Sequence, residues 1–296
     1  MTHPYEGIPL VVLTGAGRSG TLALREALGR HPQVHSTGSE NNILYELLHT
    51  ARMNCTLESR RFAMQVDDAA YDAAFRKLMC ELRWAPRHDP KPRRLLAFTA
   101  LSPTRADYLC RLFPGVKIAY LVRNGIEVVA SRQRYPGFAQ RPFAEHCEVW
   151  ALARKLIEWG RDRDNFMLIR HEDLVKAQTV ASTLDRLWSW IGLPSEPASE
   201  RFLHDNCLHP TRAGDEQRPP GEALHDRSNR WRSWTPGERQ VFVETCGLGM
   251  ASLDYPIPWL GAAASATPRI SRPSTACAPG SPAARRPRGA ARRRSG

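Results

Sequence analysis

Short runs of consecutive apolar residues alternate along this chain with stretches whose apolar positions recur every three or four residues. Ile8–Leu13 is one such run, and it stops at a glycine-rich turn. An unbroken apolar run of that length fits a strand covered on both faces, as in a parallel sheet. After the turn, Leu24, Ala27 and Leu28 fall on one helical face. Lys117–Val122 is a second buried-strand run, followed by a helical pattern over Ile126–Arg134, and Phe166–Arg170 is a third run. Beyond it Leu184, Leu187, Trp188 and Ile191 repeat with helical spacing, and Pro194 lies just past their end. Thr235-Pro236-Gly237-Glu238 has the spacing of a capping box with proline at the first helical position. Strand–helix alternation of this kind predicts an α/β fold in three layers, a mostly parallel central sheet flanked by helices. No repeat is visible, and no linker divides residues 1–260, so they are expected to form one domain.

Composition changes this picture little in the body and much in the tail. Of 296 residues, 42% are hydrophobic and 24% charged, ordinary for a globular chain that can bury a core. No run approaches the ~18 apolar residues of a membrane span, and Ile8–Leu13 lacks the basic lead of a secretory signal. The formal charge is +12, but the eight arginines of residues 261–296, with no lysine and no acid, supply +8 of it and leave +4 for the body. That Ala/Pro/Ser/Arg-rich tail has no apolar periodicity and is expected to be disordered, without a specific nucleic-acid partner. The seven cysteines are scattered singly with no C-x-x-C pair, which suits reduced thiols in a cytoplasmic protein.

The chemistry concentrates in two places. Thr14-Gly15-Ala16-Gly17-Arg18-Ser19-Gly20-Thr21 joins the first strand to the first helix. Glycines let the backbone approach a ligand, and the free N–H groups of the helix start point at an anion. The loop is nearly a Walker A motif, but Thr21 stands where the lysine after Gly20 is required, and the long cation is Arg18 instead. A kinase that hydrolyses ATP with Mg²⁺ is therefore disfavoured, while a phosphate-type anion without a metal remains attractive. The second place is Arg123, at the end of the second buried strand, with Ser131 two turns into the next helix. Ligands of open α/β sheets bind at that edge, and arginine's planar fork suits a phosphate shared with the serine hydroxyl. Taken alone, Arg123 reads as an exposed arginine that merely ends a strand.

Together the two segments resemble the sulfotransferases that use 3′-phosphoadenylyl sulfate (PAPS), a family with a P-loop-like fold. Arg18-Ser19-Gly20-Thr21 matches the loop that grips the 5′-phosphosulfate, and Arg123 with Ser131 matches the pair that grips the 3′-phosphate. His31-Pro32-Gln33-Val34, Phe113-Pro114-Gly115, Arg170-His171-Glu172-Asp173-Leu174, Ile191-Gly192-Leu193-Pro194 and Arg230-Trp231-Arg232 follow in family order across roughly residues 8–256. The arginine at position 18 is nearest to the bacterial and tyrosylprotein-sulfotransferase-like branch. The resemblance implies transfer of a sulfuryl group from PAPS to an acceptor hydroxyl or amine, without a metal. It implies donor contacts from Arg18, Ser19, Gly20, Thr21, Leu22, Arg123, Ser131, Arg230, Trp231 and Arg232. It also implies a base, matched by Glu40 just after the His31–Val34 stretch, with His35 the nearest alternative. One departure stands out: Leu101-Ser102-Pro103 puts leucine where relatives carry a lysine facing the leaving group, leaving Arg105 or Arg134 as substitutes. A small-molecule, carbohydrate, lipid or peptide acceptor is expected to sit against residues 41–90 and 135–160. The alternatives are a non-catalytic nucleotide-binding protein on the same fold, favoured by Leu101, and a P-loop small-molecule kinase.

Overall fold

The computed structural model describes residues 7–36, 46–50, 67–83, 94–207 and 229–260. Five parallel strands form one sheet: β1 (Leu10–Gly15), β2 (Val34–Ser36), β3 (Arg94–Phe98), β4 (Lys117–Val122) and β5 (Phe166–Arg170), in the order β2-β3-β1-β4-β5. Side chains alternate between the two faces. Leu10 and Val12 of β1, Leu95 and Ala97 of β3, and Ile118, Tyr120 and Val122 of β4 enter one core cluster. Val11 and Leu13, Leu96 and Phe98, and Ala119 and Leu121 enter the other. Burial on both faces is why these strands read as unbroken apolar runs.

The first cluster is covered by α2 (Asp68–Arg83), α3 (Pro103–Leu112), α4 (Gly125–Arg134), α5 (Phe143–Gly160) and α9 (Pro236–Ser252). The second is covered by α1 (Thr21–Leu28), α6 (His171–Leu174), α7 (Val180–Ile191) and α8 (Pro197–Cys207). Trp150 on α5, Trp188 on α7 and Phe242 on α9 are among the largest fully buried side chains. Each such burial is worth ~1.5–3 kcal/mol or more, so these rings anchor their helices far more firmly than helix propensity does.

The expected strands and helices are present with small shifts. β1 begins at Leu10, two residues later than its apolar run, and continues to Gly15. Helix α9 carries the capping box: the Thr235 hydroxyl accepts from the Glu238 N–H, and the Glu238 carboxylate accepts from the Thr235 N–H. Trp188 packs in the core, and His31 is a hinge between motifs, its Nδ1 accepting from Gln33 N and its Nε2 bonding the Pro194 carbonyl at 3.2 Å. Strand β3 carries no expectation from the sequence. Among the described residues no helix is long and apolar enough to cross a membrane.

From β1 the chain passes to β2 and β3 on one side, then returns across β1 to β4 and β5 on the other. The reversal opens a crevice at the carboxyl ends of β1 and β4, where ligands of such sheets bind.

Candidate active site

The loop after β1 is shaped by close approach. A Cβ on Gly15 would come within 2.5 Å of the Leu121 carbonyl oxygen, so only glycine lets β1 leave the sheet there. The loop then turns tightly, with the Ser19 N–H on the Ala16 carbonyl at 3.0 Å. Gly20 takes φ +94° as the N-cap of α1, and a Cβ there would meet His171 Nδ1 at 2.6 Å. Arg18 also has positive φ, +81°, a conformation that costs a side-chain-bearing residue ~1–3 kcal/mol. Backbone strain at a loop that opens a helix is a signature of a binding site. The first turn of α1 holds no acidic residue, its leading N–H groups lack helical partners, and Ser19 Oγ is buried with no hydrogen-bond partner. Thr21 is buried and Leu22 is exposed at the same helix start.

Arg123 reaches the same place from β4. Its Nη1 donates to the Arg18 carbonyl at 3.4 Å, while its Nε donates to Glu127 Oε2 at 2.8 Å. Glu127 accepts from Nη2 as well, one turn up α4. The Arg18 Nε in turn lies 3.4 Å from Ser131 Oγ, and its guanidinium sits 4.4 Å from the centre of the Tyr135 ring. Arg18, Arg123 and Ser131 thus meet, although Arg123 and Ser131 meet through Arg18 and not through a contact of their own. The sequence reading has Arg123 and Ser131 share one phosphate, and Glu127, at i+4, holds the Arg123 guanidinium along α4.

A second layer holds Arg123 and its helix. Asn124 caps α4, its Oδ1 accepting from Ile126 N at 2.9 Å, and Trp150 Nε1 donates to the Arg123 carbonyl at 2.9 Å. Glu172 Oε1 accepts from Asn124 N at 2.8 Å, and Glu172 Oε2 accepts from the Tyr255 hydroxyl at 2.8 Å. Burial first, then the Glu172 charge, pushes the Tyr255 hydroxyl well above its ordinary range, so it remains a donor. Glu172 and Asp173 therefore open α6, and Glu172 braces the site.

The other expected residues divide. Arg230–Ser233 form a 3₁₀ turn against α4, and Trp234 Nε1 donates to Gln133 Oε1 at 2.9 Å. Trp231 packs its ring 5.1 Å from Trp259 and under Arg239 at 5.0 Å, so much of its surface is committed to packing. Arg232 is exposed and Arg230 half-buried beside it. Glu40 lies outside the described residues. His35 is half-buried on β2, and Leu101 is half-buried against the first core cluster. Arg134 is exposed at the end of α4, and Arg105 is half-buried in α3. The sequence reading missed Glu127, Arg132, Tyr135 and His171 as neighbours of the loop. Only Glu127 had a legible signal, its i+4 spacing from Arg123.

A parallel α/β sheet with a strained, glycine-rich loop at its switch point, braced by a strand-end arginine, defines the P-loop-like class of folds. A family model described as "Sulfotransferase family" matches residues 9–197, and the chain belongs to that family. A protein-tyrosine sulfotransferase of Drosophila melanogaster is 26% identical over 180 residues, 57% of this chain and 35% of its own length. The chain spans about a third of the length of the first curated relatives it matches. The sulfotransferase domain of the Synechococcus PCC 7002 olefin synthase superposes with a TM-score of 0.53 at 19% identity, covering 87% of this chain and 100% of that one. Mouse sulfotransferase SULT7A1, solved in complex with PAP, superposes with a TM-score of 0.50 at 14% identity, covering 84% and 89%.

Proposed function

We propose that this protein moves a sulfuryl group from PAPS to an acceptor hydroxyl or amine and releases adenosine 3′,5′-bisphosphate. The observation that carries the reading is the meeting of Arg18, Arg123 and Ser131 at one corner of the sheet, from elements far apart in the chain. Arg18 and the N–H groups of Ser19, Gly20 and Thr21 take the 5′-phosphosulfate, with Leu22 alongside. Arg123 and Ser131 take the 3′-phosphate, and the Arg230-Trp231-Arg232 turn borders the nucleotide. In the reaction the acceptor oxygen attacks sulfur. The bond from sulfur to the bridging oxygen breaks, and its electron pair stays on the 5′-phosphate. Fixed donors aimed at those oxygens are the main source of rate. The acceptor proton goes to Glu40, a role worth ~10²–10⁴-fold. The chemistry needs no metal. A carbohydrate, lipid, small phenol or peptide tyrosine is the acceptor class, selected by residues 41–90 and 135–160. The scattered cysteines favour a cytoplasmic site of action.

A thermal shift comparing adenosine 3′,5′-bisphosphate with ATP tests the donor. At a hundred times its Kd a ligand stabilises the fold by ~2.7 kcal/mol. The bisphosphate is expected to give the larger shift; equal shifts, or a preference for ATP with Mg²⁺, would return the kinase reading. Glu40→Gln is expected to lower turnover at least a hundredfold while leaving bisphosphate binding intact.

A further inference from the structure

Arg132, directly after Ser131 on α4, is 3% exposed. Its guanidinium lies against the anion loop: a Cβ on Gly17 would come within 3.1 Å of its Nη1. It stacks 4.3 Å from the centre of the Phe138 ring, and its Nε is buried with no hydrogen-bond partner. Glu145, the carboxylate whose charge reaches it, is ion-paired to Arg141. His146 is fully buried with both ring nitrogens unpartnered, and burial followed by the Arg132 charge holds its pKa low, so it offers no anion either. Arg141 and then Arg18 add like charges. A buried guanidinium among like charges is unfavourable until an anion joins it. Folded proteins retain such unpaired charge where a ligand completes it.

We propose that Arg132 receives the sulfuryl end of the donor, supplying at the Gly17–Arg18 corner of the loop the cation that Leu101 does not. This rests on the PAPS reading above. Arg123 and Ser131 serve the nucleotide's 3′ end in that reading, and Arg132, pressed against Gly17 on the approach to Arg18, is left for the other end. Its fork hydrogen-bonds the non-bridging sulfuryl oxygens and holds the sulfuryl group in place while the electron pair of the breaking bond leaves on the bridging oxygen. Arg134 is exposed at the end of the same helix, and Arg105 is half-buried on α3.

The test uses the whole chain and two nucleotides, PAPS and adenosine 3′,5′-bisphosphate, with affinities read by calorimetry. Arg132→Met is expected to weaken PAPS about tenfold or more and to leave the bisphosphate, which lacks the sulfuryl group, unchanged. Arg132→Lys is expected to recover part of the loss. Because the free protein loses an unpaired buried charge, its Tm with Arg132→Met is expected to equal or exceed that of the parent. Equal weakening of both nucleotides overturns the proposal in favour of a nucleotide contact. Unchanged PAPS affinity with a raised KM for an acidic acceptor overturns it in favour of an acceptor contact. A steep fall in Tm makes Arg132 a structural residue and overturns it too. A parent protein that binds neither nucleotide refutes the donor reading itself, a different result from any of these.

Discussion

At the scale of single residues, the loop depends on backbone positions more than on side chains. Gly20 combines φ +94° with a neighbour, His171 Nδ1, 2.6 Å from where a Cβ would stand. Gly20→Ala is expected to cost at least ~1–3 kcal/mol from the left-handed backbone alone. That lowers Tm by roughly 2–4 °C per kcal/mol for a domain of this size. Adding His171→Ala should return only the steric part, leaving the backbone part visible in a thermal melt; full recovery would mean the backbone is unstrained. Arg18 was legible in the sequence because a glycine turn between strand and helix leaves a local signature, while Arg123 and Ser131 came from the eight-residue spacing that the family resemblance supplies. Arg132, Tyr135 and His171 were not legible, because nothing local says which way a helical arginine faces or which ring closes over a glycine 151 positions away, His171 over Gly20.

At the scale of elements, α4 does two jobs: it carries Ser131 and Arg132, and its N-cap residue fixes the end of β4. Asn124 supplies the cap, and the same residue's N–H is held by Glu172. Asn124→Ala is expected to cost ~0.5–2 kcal/mol of stability as a lost cap. It should also weaken adenosine bisphosphate severalfold, because Arg123 is the neighbouring residue. A stability loss with unaltered affinity would show that Trp150 and Glu127 alone hold Arg123. The elements that the sequence announced share one property. β1, β4 and β5 are unbroken apolar runs next to glycine, asparagine or proline punctuation, and α7 and α9 have clean ends. β2, only Val34–Ser36 and half-buried at the sheet edge, has too few residues for any period. β3 holds four apolar residues behind Arg94, and its partner on each side is distant in sequence, so its pairing with β1 and β2 is a tertiary fact with no local mark.

At the scale of the whole molecule, the order β2-β3-β1-β4-β5 puts the two arginine-bearing strand ends side by side. Alternation of strands and helices foretold a parallel sheet but not that order, which is set by which apolar faces cover each other. Every proposed donor contact lies between Arg18 and Arg232, so the arginine-rich residues 261–296 are not needed for it. A chain ending at Leu260 is expected to bind adenosine bisphosphate with unchanged affinity and to show a shallower salt dependence for any nucleic-acid association. A loss of bisphosphate affinity on truncation would assign the tail to the nucleotide site.

The bond from the Arg123 guanidinium to the Arg18 carbonyl joins the two grips into one mechanical piece. Filling either end should therefore stiffen the other, so that a fragment as small as an adenosine 3′-phosphate prepares the loop for a separate sulfate. Inhibitors built from two linked halves would then gain more than the sum of their parts, and the first half found would raise the success of any search for the second.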